Sequence, residues 1–298
     1  MPDCDVLVLG DYYCDIIITG LPDIPRLGAD LFGQALEIAA GGAFILTTAL
    51  HRLGVRARWL ATLGDDLFSR FVYDEARREG LDTSQFKMLA EPFRSMSLSF
   101  SFAHDRGFIS YTDPRPCEPP FELLDALKPA WVANAPFDGS AASLRFADAI
   151  HRYGGRLYTD CQYVTTTLDE PGLTAILSKI DIFAPNLSEA RQLTGAATAE
   201  AALARLAEYC PLVVVKCGAD GAYARAGDRV WHCPAIPVDV VDTTGAGDSF
   251  NAGFLAATLK GQPLETCLRY GNICGGLSTT RRGGATAVPT LEQLKAWL

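Results

Sequence analysis

Trp131-Val132-Ala133-Asn134-Ala135, then a run in which Phe146, Ala149, Ile150 and Tyr153 recur at i, i+3, i+4 and i+7, then Leu157-Tyr158-Thr159, is the stretch that decides the fold. The flanking runs are short and continuous, as strands covered on both faces are. The middle run puts apolar residues on one side of a helix and charges on the other. The same rhythm continues toward the carboxyl terminus, with Ile182 to Ala184 and Leu212 to Val215 as strands and Ala199, Ala202, Leu203 and Leu206 as a helical stripe. Strands alternating with helices predict a three-layer α/β/α sandwich around a mainly parallel central sheet. In such sheets ligands bind beyond the carboxyl ends of the strands, so chemistry is expected in the turns that follow them.

Toward the amino terminus the pattern is mixed. Val6 to Leu9 and Ile16 to Ile18 are short apolar runs of the buried-strand kind, whereas Ser97-Leu98-Ser99-Phe100-Ser101-Phe102 alternates strictly, as a sheet covered on one face does. His104-Asp105-Arg106-Gly107 has turn chemistry, and Phe108 to Tyr111 can return as the second strand of a hairpin. Pro114, Pro116, Pro119 and Pro120 mark an extended connection from this small sheet back to the main layer. No internal repeat, low-complexity tract or long polar linker interrupts the chain, so residues 1–298 are expected to form a single α/β domain with the small β-sheet inserted in it.

Composition narrows the partners. The chain has 298 residues, 49% hydrophobic and 20% charged, which is ordinary for a globular protein. With 26 Lys and Arg against 35 Asp and Glu the net charge is −9, a field that repels nucleic acid and anionic lipid but leaves room for a small anionic ligand held by local N–H groups. The nine cysteines are scattered without a C-x-x-C pair and are expected to be reduced, mostly core thiols. Asp3 and Asp5 replace a basic signal region, and no apolar run approaches the length of about eighteen residues that would span a membrane. A cytoplasmic protein without membrane or nucleic-acid partners is expected. His51, His104, His151 and His232 lack metal-ligand spacing, and neither G-x-x-x-x-G-K-[ST] nor a post-strand G-x-G-x-x-G occurs.

The stretch richest in chemistry is Asp242-Thr243-Thr244-Gly245-Ala246-Gly247-Asp248-Ser249-Phe250, which leads into a helical pattern where Phe250, Phe254 and Ala257 share a face. Gly245, Ala246 and Gly247 have almost no side chain, so backbone N–H groups and the helix dipole can converge there on an anion such as a phosphate. Asp248, in the first turn, is favoured as a carboxylate and could accept a proton from a hydroxyl held beside that phosphate. The alternative is a tight turn with Asp248 as a helix-capping residue.

Asp242 to Phe250 resembles the carboxyl-terminal motif of the ribokinase-like (PfkB) carbohydrate kinases. The resemblance implies a ribokinase-like fold in which Gly245, Ala246 and Gly247 form an anion hole and Asp248 is the base that activates a sugar hydroxyl, with ATP as donor. Other landmarks follow in order along nearly the whole chain. Asn186 and Glu189 look like the family's N-x-x-E element, which helps hold Mg2+ and the nucleotide phosphates; the same pair is also a capping box. Lys216, Gly218 and Gly221 are similar to its nucleotide-side loop, Thr243 falls on the same side, and Asn272 occupies a position near the adenine. Asp242 and Thr244 match positions bordering a monovalent-cation site, for K+ or a similar ion.

On the substrate side the resemblance gives Asp11 and Asp15 as acceptors for sugar hydroxyls, Gly41 and Gly42 as a hinge, and residues of about 12–39 and 94–111 as a lid that covers the substrate and pairs between subunits. Arg106, in the lid hairpin, is a candidate substrate contact. One position departs from the family: the asparagine expected a few residues after the two glycines is absent, and Ile45 or Leu46 stands there. An apolar residue in place of a sugar contact keeps two acceptors in view, a sugar-like hydroxymethyl compound or a nucleoside whose base packs on Phe44 and Ile45. A catalytically silent, ligand-binding member of the family is the alternative of another class.

Overall fold

The computed structural model describes residues 4–28, 30–102, 106–114, 118–161 and 166–298. In chain order the strands are β1 (Val6–Leu9), β2 (Tyr12–Thr19), β3 (Ala35–Gly42), β4 (Ala57–Leu60), β5 (Thr62–Leu63), β6 (Lys87–Met88), β7 (Ser95–Ser101), β8 (Arg106–Thr112), β9 (Trp131–Ala133), β10 (Arg156–Thr159), β11 (Ile182–Phe183), β12 (Val213–Lys216), β13 (Ala222–Ala226) and β14 (Arg229–Cys233). The helices are α1 (Ala43–Arg52), α2 (Leu67–Glu79), α3 (Phe121–Leu127), α4 (Ala141–Arg152), α5 (Leu173–Leu177), α6 (Leu187–Thr194), α7 (Ala199–Leu206), α8 (Ala246–Leu259), α9 (Leu264–Ser278) and α10 (Leu291–Lys295).

Eight strands form the central sheet in the order β14-β13-β12-β11-β10-β9-β1-β4. All neighbours from β12 to β4 pair in parallel. Alternate residues of a strand face opposite sides, and each side is covered. Val6 and Val8 of β1 pack with residues of α1, α8 and α9, while Leu7 and Leu9 pack with α4, α5, α6 and α7. This is the expected α/β/α sandwich with its mainly parallel sheet. The edge differs from a wholly parallel reading: β13 and β14 run antiparallel beyond β12, because the two residues Gly227-Asp228 close a tight hairpin with Gly227 at φ 57°.

A second, four-stranded sheet has the order β3-β2-β7-β8. Ile16 to Ile18, expected from their apolar run as a buried strand, belong instead to β2 of this sheet, where Ile17 is buried and Ile16 and Ile18 are half-buried. The alternating run forms β7 and returns as β8. The turn residues His104 and Asp105, the side chain of Arg106, and Pro116 and Cys117 lie outside the described residues. Register aligns Ile38, Ile16, Leu98 and Ile109 in one row across the four strands, and Ile38 and Ile109 are exposed. The other face carries Asp15, Ser97 and Ser110.

Helix α8 is buried over most of its length against α9 and α1. Small residues allow the approach: a Cβ on Gly253 would stand 2.5 Å from the Tyr270 carbonyl oxygen. Packing of α8 against α9 fixes the amino-terminal end of α8 beside the carboxyl ends of the central strands. Among the described residues no helix is long and apolar enough to cross a membrane.

Candidate active site

The carboxyl ends of five adjacent parallel strands each deliver a polar residue. Across the sheet these are Lys216 at the end of β12, Asn186 after β11, Asp160 after β10, Asn134 after β9 and Asp11 after β1. Strand β1 is where the chain turns outward in both directions, toward β4 on one side and β9 on the other, the switch point at which open sheets bind ligands. All five residues line one cleft of about 1280 Å³, together with Gly42, Glu189, Gly218, Gly221, Thr243, Gly245, Ala246, Gly247, Asp248 and Asn272.

The amino-terminal turn of α8 forms one wall. Gly245 sits at φ 69°, a left-handed conformation that costs other residues strain, and a side chain there would collide with Ile45. The turn is held from behind: Asp242 Oδ1 accepts from the Thr244 amide at 2.9 Å and the Thr244 hydroxyl at 2.7 Å, and Asp242 Oδ2 accepts from the Gly283 amide at 3.0 Å. Asp248 follows in the first turn. Burial, then the charge of Asp160, pushes its carboxyl up to about 7, and Lys216 opposes the rise.

A polar network links the sheet to α8. Lys216 Nζ donates to Asp160 Oδ2 at 2.5 Å and to Asn251 Oδ1 at 3.3 Å. Asn251 Nδ2 donates to Asp160 Oδ2 at 2.6 Å, and the Tyr158 hydroxyl donates to Asn251 Oδ1 at 2.8 Å. Burial keeps that hydroxyl protonated, well above the ordinary tyrosine range. Asp160 Oδ1 is buried with no hydrogen-bond partner among the described residues.

Asn186 and Glu189 make a reciprocal capping box at the start of α6, with the Glu189 amide donating to Asn186 Oδ1 at 2.9 Å and the Asn186 amide to Glu189 Oε2 at 2.8 Å. Burial and then the charge of Asp160 push Glu189 up to about 7. Among the described residues no group of three or more His, Cys, Asp or Glu is arranged to enclose a metal ion. The donors at this end are an amide and carboxylates in a place short of positive charge, which fits a hard cation that keeps waters and takes its remaining oxygens from phosphate.

Asp15, Gly41, Ile45, Asp242 and Thr244 do not line the cleft. Asp15 is 9% exposed and lies on Gly41, where a Cβ would meet its Oδ2 at 2.1 Å. Burial, then Asp242, pushes Asp15 up to about 7. Phe44 and Ile45 are buried, Ile45 against Gly245 and Gly284, so neither presents a surface on which a base could stack. Asn272 is buried on α9 and uses its Nδ2 to brace the Cys233 and Pro234 carbonyls, at 2.8 and 3.0 Å. Asn134, Asp160 and Asn251 line or brace the site and were not site candidates from the sequence. Asn134 and Asp160 follow strands directly, and Asn251 stands three residues beyond Asp248 on the same helix face, so position relative to an element was the available signal. Asn134 also holds φ 58°, uncommon for a residue other than glycine.

The fold and this cleft define a class. The pattern of the pfkB family carbohydrate kinases matches residues 31–291. An uncharacterized sugar kinase of Archaeoglobus fulgidus is 38% identical over 260 residues, covering 80% of this chain and 98% of its own. The ribokinase of Haemophilus influenzae is 26% identical over 308 residues, covering 98% and 97%. Among solved structures, Arabidopsis thaliana ribokinase complexed with ribose and ATP superposes with a TM-score of 0.82 at 21% identity, covering 99% and 98%. The chain belongs to the pfkB family of carbohydrate kinases and is an ATP-using phosphotransferase.

Proposed function

We propose that the protein transfers the γ-phosphoryl group of ATP to a hydroxymethyl group of a sugar or sugar-like acceptor. The observation that carries this reading is the union, in one cleft wall, of the Gly245–Gly247 turn and the Asp248 carboxyl at the start of α8. The backbone N–H groups of the turn hold the phosphoryl oxygens, where oriented donors are worth most. Asp248 takes the acceptor's hydroxyl proton; the oxygen–phosphorus bond to the acceptor forms as the bond to ADP breaks, and ADP leaves with the electron pair. A value near 7 suits that proton transfer at neutral pH.

Asn186 and Glu189 would hold Mg2+, largely through water, and the ion when bound neutralises phosphate charge. Gly218 and Gly221 border the nucleotide, with Ile236 and Val238 as an apolar slot for its base and Asn272 fixing the chain behind that slot. Asp11 accepts acceptor hydroxyls from the end of β1, and Asp15, packed on Gly41 just behind the cleft wall, is the second acceptor of the same reading. A K+ ion beside Asp242 and Thr244 belongs to the same reading, although their oxygens already staple two turns. The second sheet covers the acceptor, and its apolar row of Ile38, Ile16, Leu98 and Ile109 pairs with a second copy in a homodimer.

The test is ATP turnover across a panel of pentoses, hexoses, deoxy and keto sugars and nucleosides, with the Asp248→Asn variant beside the wild type. One acceptor phosphorylated by the wild type and not by the variant is the expected result. No phosphorylated acceptor, or full activity in the variant, overturns the assignment.

A further inference from the structure

We propose that Lys216 is a further catalytic residue, its ammonium binding the transferring phosphoryl group beside the Gly245–Gly247 turn, with Asp160, Asn251 and Tyr158 as the positioning residues that hold it there. The proposal rests on the kinase reading above and adds to it a charged group that the turn itself lacks.

Three observations converge. The first is placement: Nζ lies 3.3 Å from where a Cβ on Gly247 would stand, so the ammonium borders the bare face of the turn. The second is donor count. An ammonium has three N–H groups; Asp160 and Asn251 take two among the described residues, which leaves one for an oxygen in the cleft. The third is charge. Asp11, Asp138, Asp160, Glu189 and Asp248 all line the cleft, and Lys216 is the single Lys or Arg among the described residues that does. A polyphosphate entering among these carboxylates meets repulsion unless a cation faces it.

A purely structural ion pair explains this less well. Its side chains are only 10% and 18% exposed, and burying such a pair commonly gains no more than apolar residues would. The network spends partners from β10 and α8 to fix one ammonium at the turn. Lys216 transfers no proton: the acceptor's proton goes to Asp248, the bond to the acceptor forms as that to ADP breaks, and Lys216 meets the charge spread over the phosphoryl oxygens.

The groups facing Asp248 are Asp160 after β10, Lys216 of β12, Asp15 of β2 and Glu189 of α6. Removing the ammonium therefore moves the acid limb of kcat to higher pH, and removing the Asp160 charge moves it to lower pH. The experiment compares Lys216→Met, Lys216→Arg, Asp160→Asn and the Lys216→Met/Asp160→Asn double variant, which buries no unpaired charge, in the full chain with MgATP and the best acceptor. Lys216→Met should lose about 100-fold or more in kcat, as loss of an oxyanion donor does, with the acceptor KM changed by less than about threefold. Lys216→Arg should recover part of that loss, and the double variant should be as slow as Lys216→Met. A kcat in Lys216→Met within threefold of wild type, or acid limbs that move the same way in Lys216→Met and Asp160→Asn, overturns the proposal while leaving the kinase reading intact. If wild type phosphorylates nothing, the kinase reading fails, and calorimetry with adenosine 5′-(β,γ-imido)triphosphate decides for the lysine: about tenfold weaker binding by Lys216→Met supports it, and equal affinity overturns it.

Discussion

Asp15, Glu189 and Asp248 share one electrostatic condition: burial pushes each up to about 7, helped by a neighbouring carboxylate, Asp242 for the first and Asp160 for the others. On the proposed role of Asp248 as base, kcat should rise through about pH 7 in a pH–rate profile as this carboxyl ionises. Asp248→Asn should lower kcat by about 10³-fold, the scale of general-base catalysis, with unchanged nucleotide affinity in a binding titration. The same shift has a thermodynamic sign. A carboxyl raised from 3.8 to about 7 binds more protons folded than unfolded, so its contribution is fully present below about pH 4 and is lost as pH rises through 7. The ligand-free protein should melt at lower temperature at pH 8 than at pH 5. The slope should be shallower in Asp248→Asn, read by scanning calorimetry; equal slopes would show that this carboxyl is not raised.

At the level of elements, α8 and α6 carry the proposed site at their amino-terminal ends, and at each end stability and activity can be read side by side. Gly247 has ordinary backbone angles within α8, and a methyl there would project toward Lys216 Nζ at 3.3 Å and Asp160 Oδ2 at 3.8 Å. Gly247→Ala should therefore raise helix stability by up to about 1 kcal/mol in urea unfolding while kcat falls at least tenfold, because the methyl would take up space that the proposed function gives to phosphate. Asn186→Ala should cost about 1 kcal/mol through the lost cap and raise the Mg2+ requirement, whereas Asn186→Asp keeps the cap. Much of this was legible beforehand. The stripes of α4 and α7 announce helices because each has one buried face, and the small residues before Phe250 announce a bare turn at a helix start, the geometry on which the proposed anion site rests. The place of β2 was not legible, since an apolar run looks alike in either sheet. The antiparallel edge hangs on two residues, Gly227-Asp228, that were not singled out. Asp160 and Asn251 escaped because a lone polar residue has no local pattern; their partnership spans 91 positions and exists only in the fold.

Across the whole molecule, the proposed function divides the labour between two sheets, the central one presenting its strand ends to ATP and the β3-β2-β7-β8 sheet covering the acceptor. The outer row of the second sheet exposes Ile38 and Ile109, and sedimentation should find a dimer that Ile109→Asp converts to a monomer; a wild-type monomer would contradict the pairing. The central claim is that a backbone cradle and the Asp248 carboxyl, joined at the start of α8, serve one phosphoryl transfer. Its most direct test is a crystal structure with MgADP, aluminium fluoride and an acceptor. Fluoride atoms are expected at about 2.7–3.1 Å from the backbone nitrogens of Gly245 to Gly247, and the acceptor hydroxyl within about 3.2 Å of Asp248. Fluoride bound away from that turn, or an acceptor oxygen out of reach of Asp248, would contradict it.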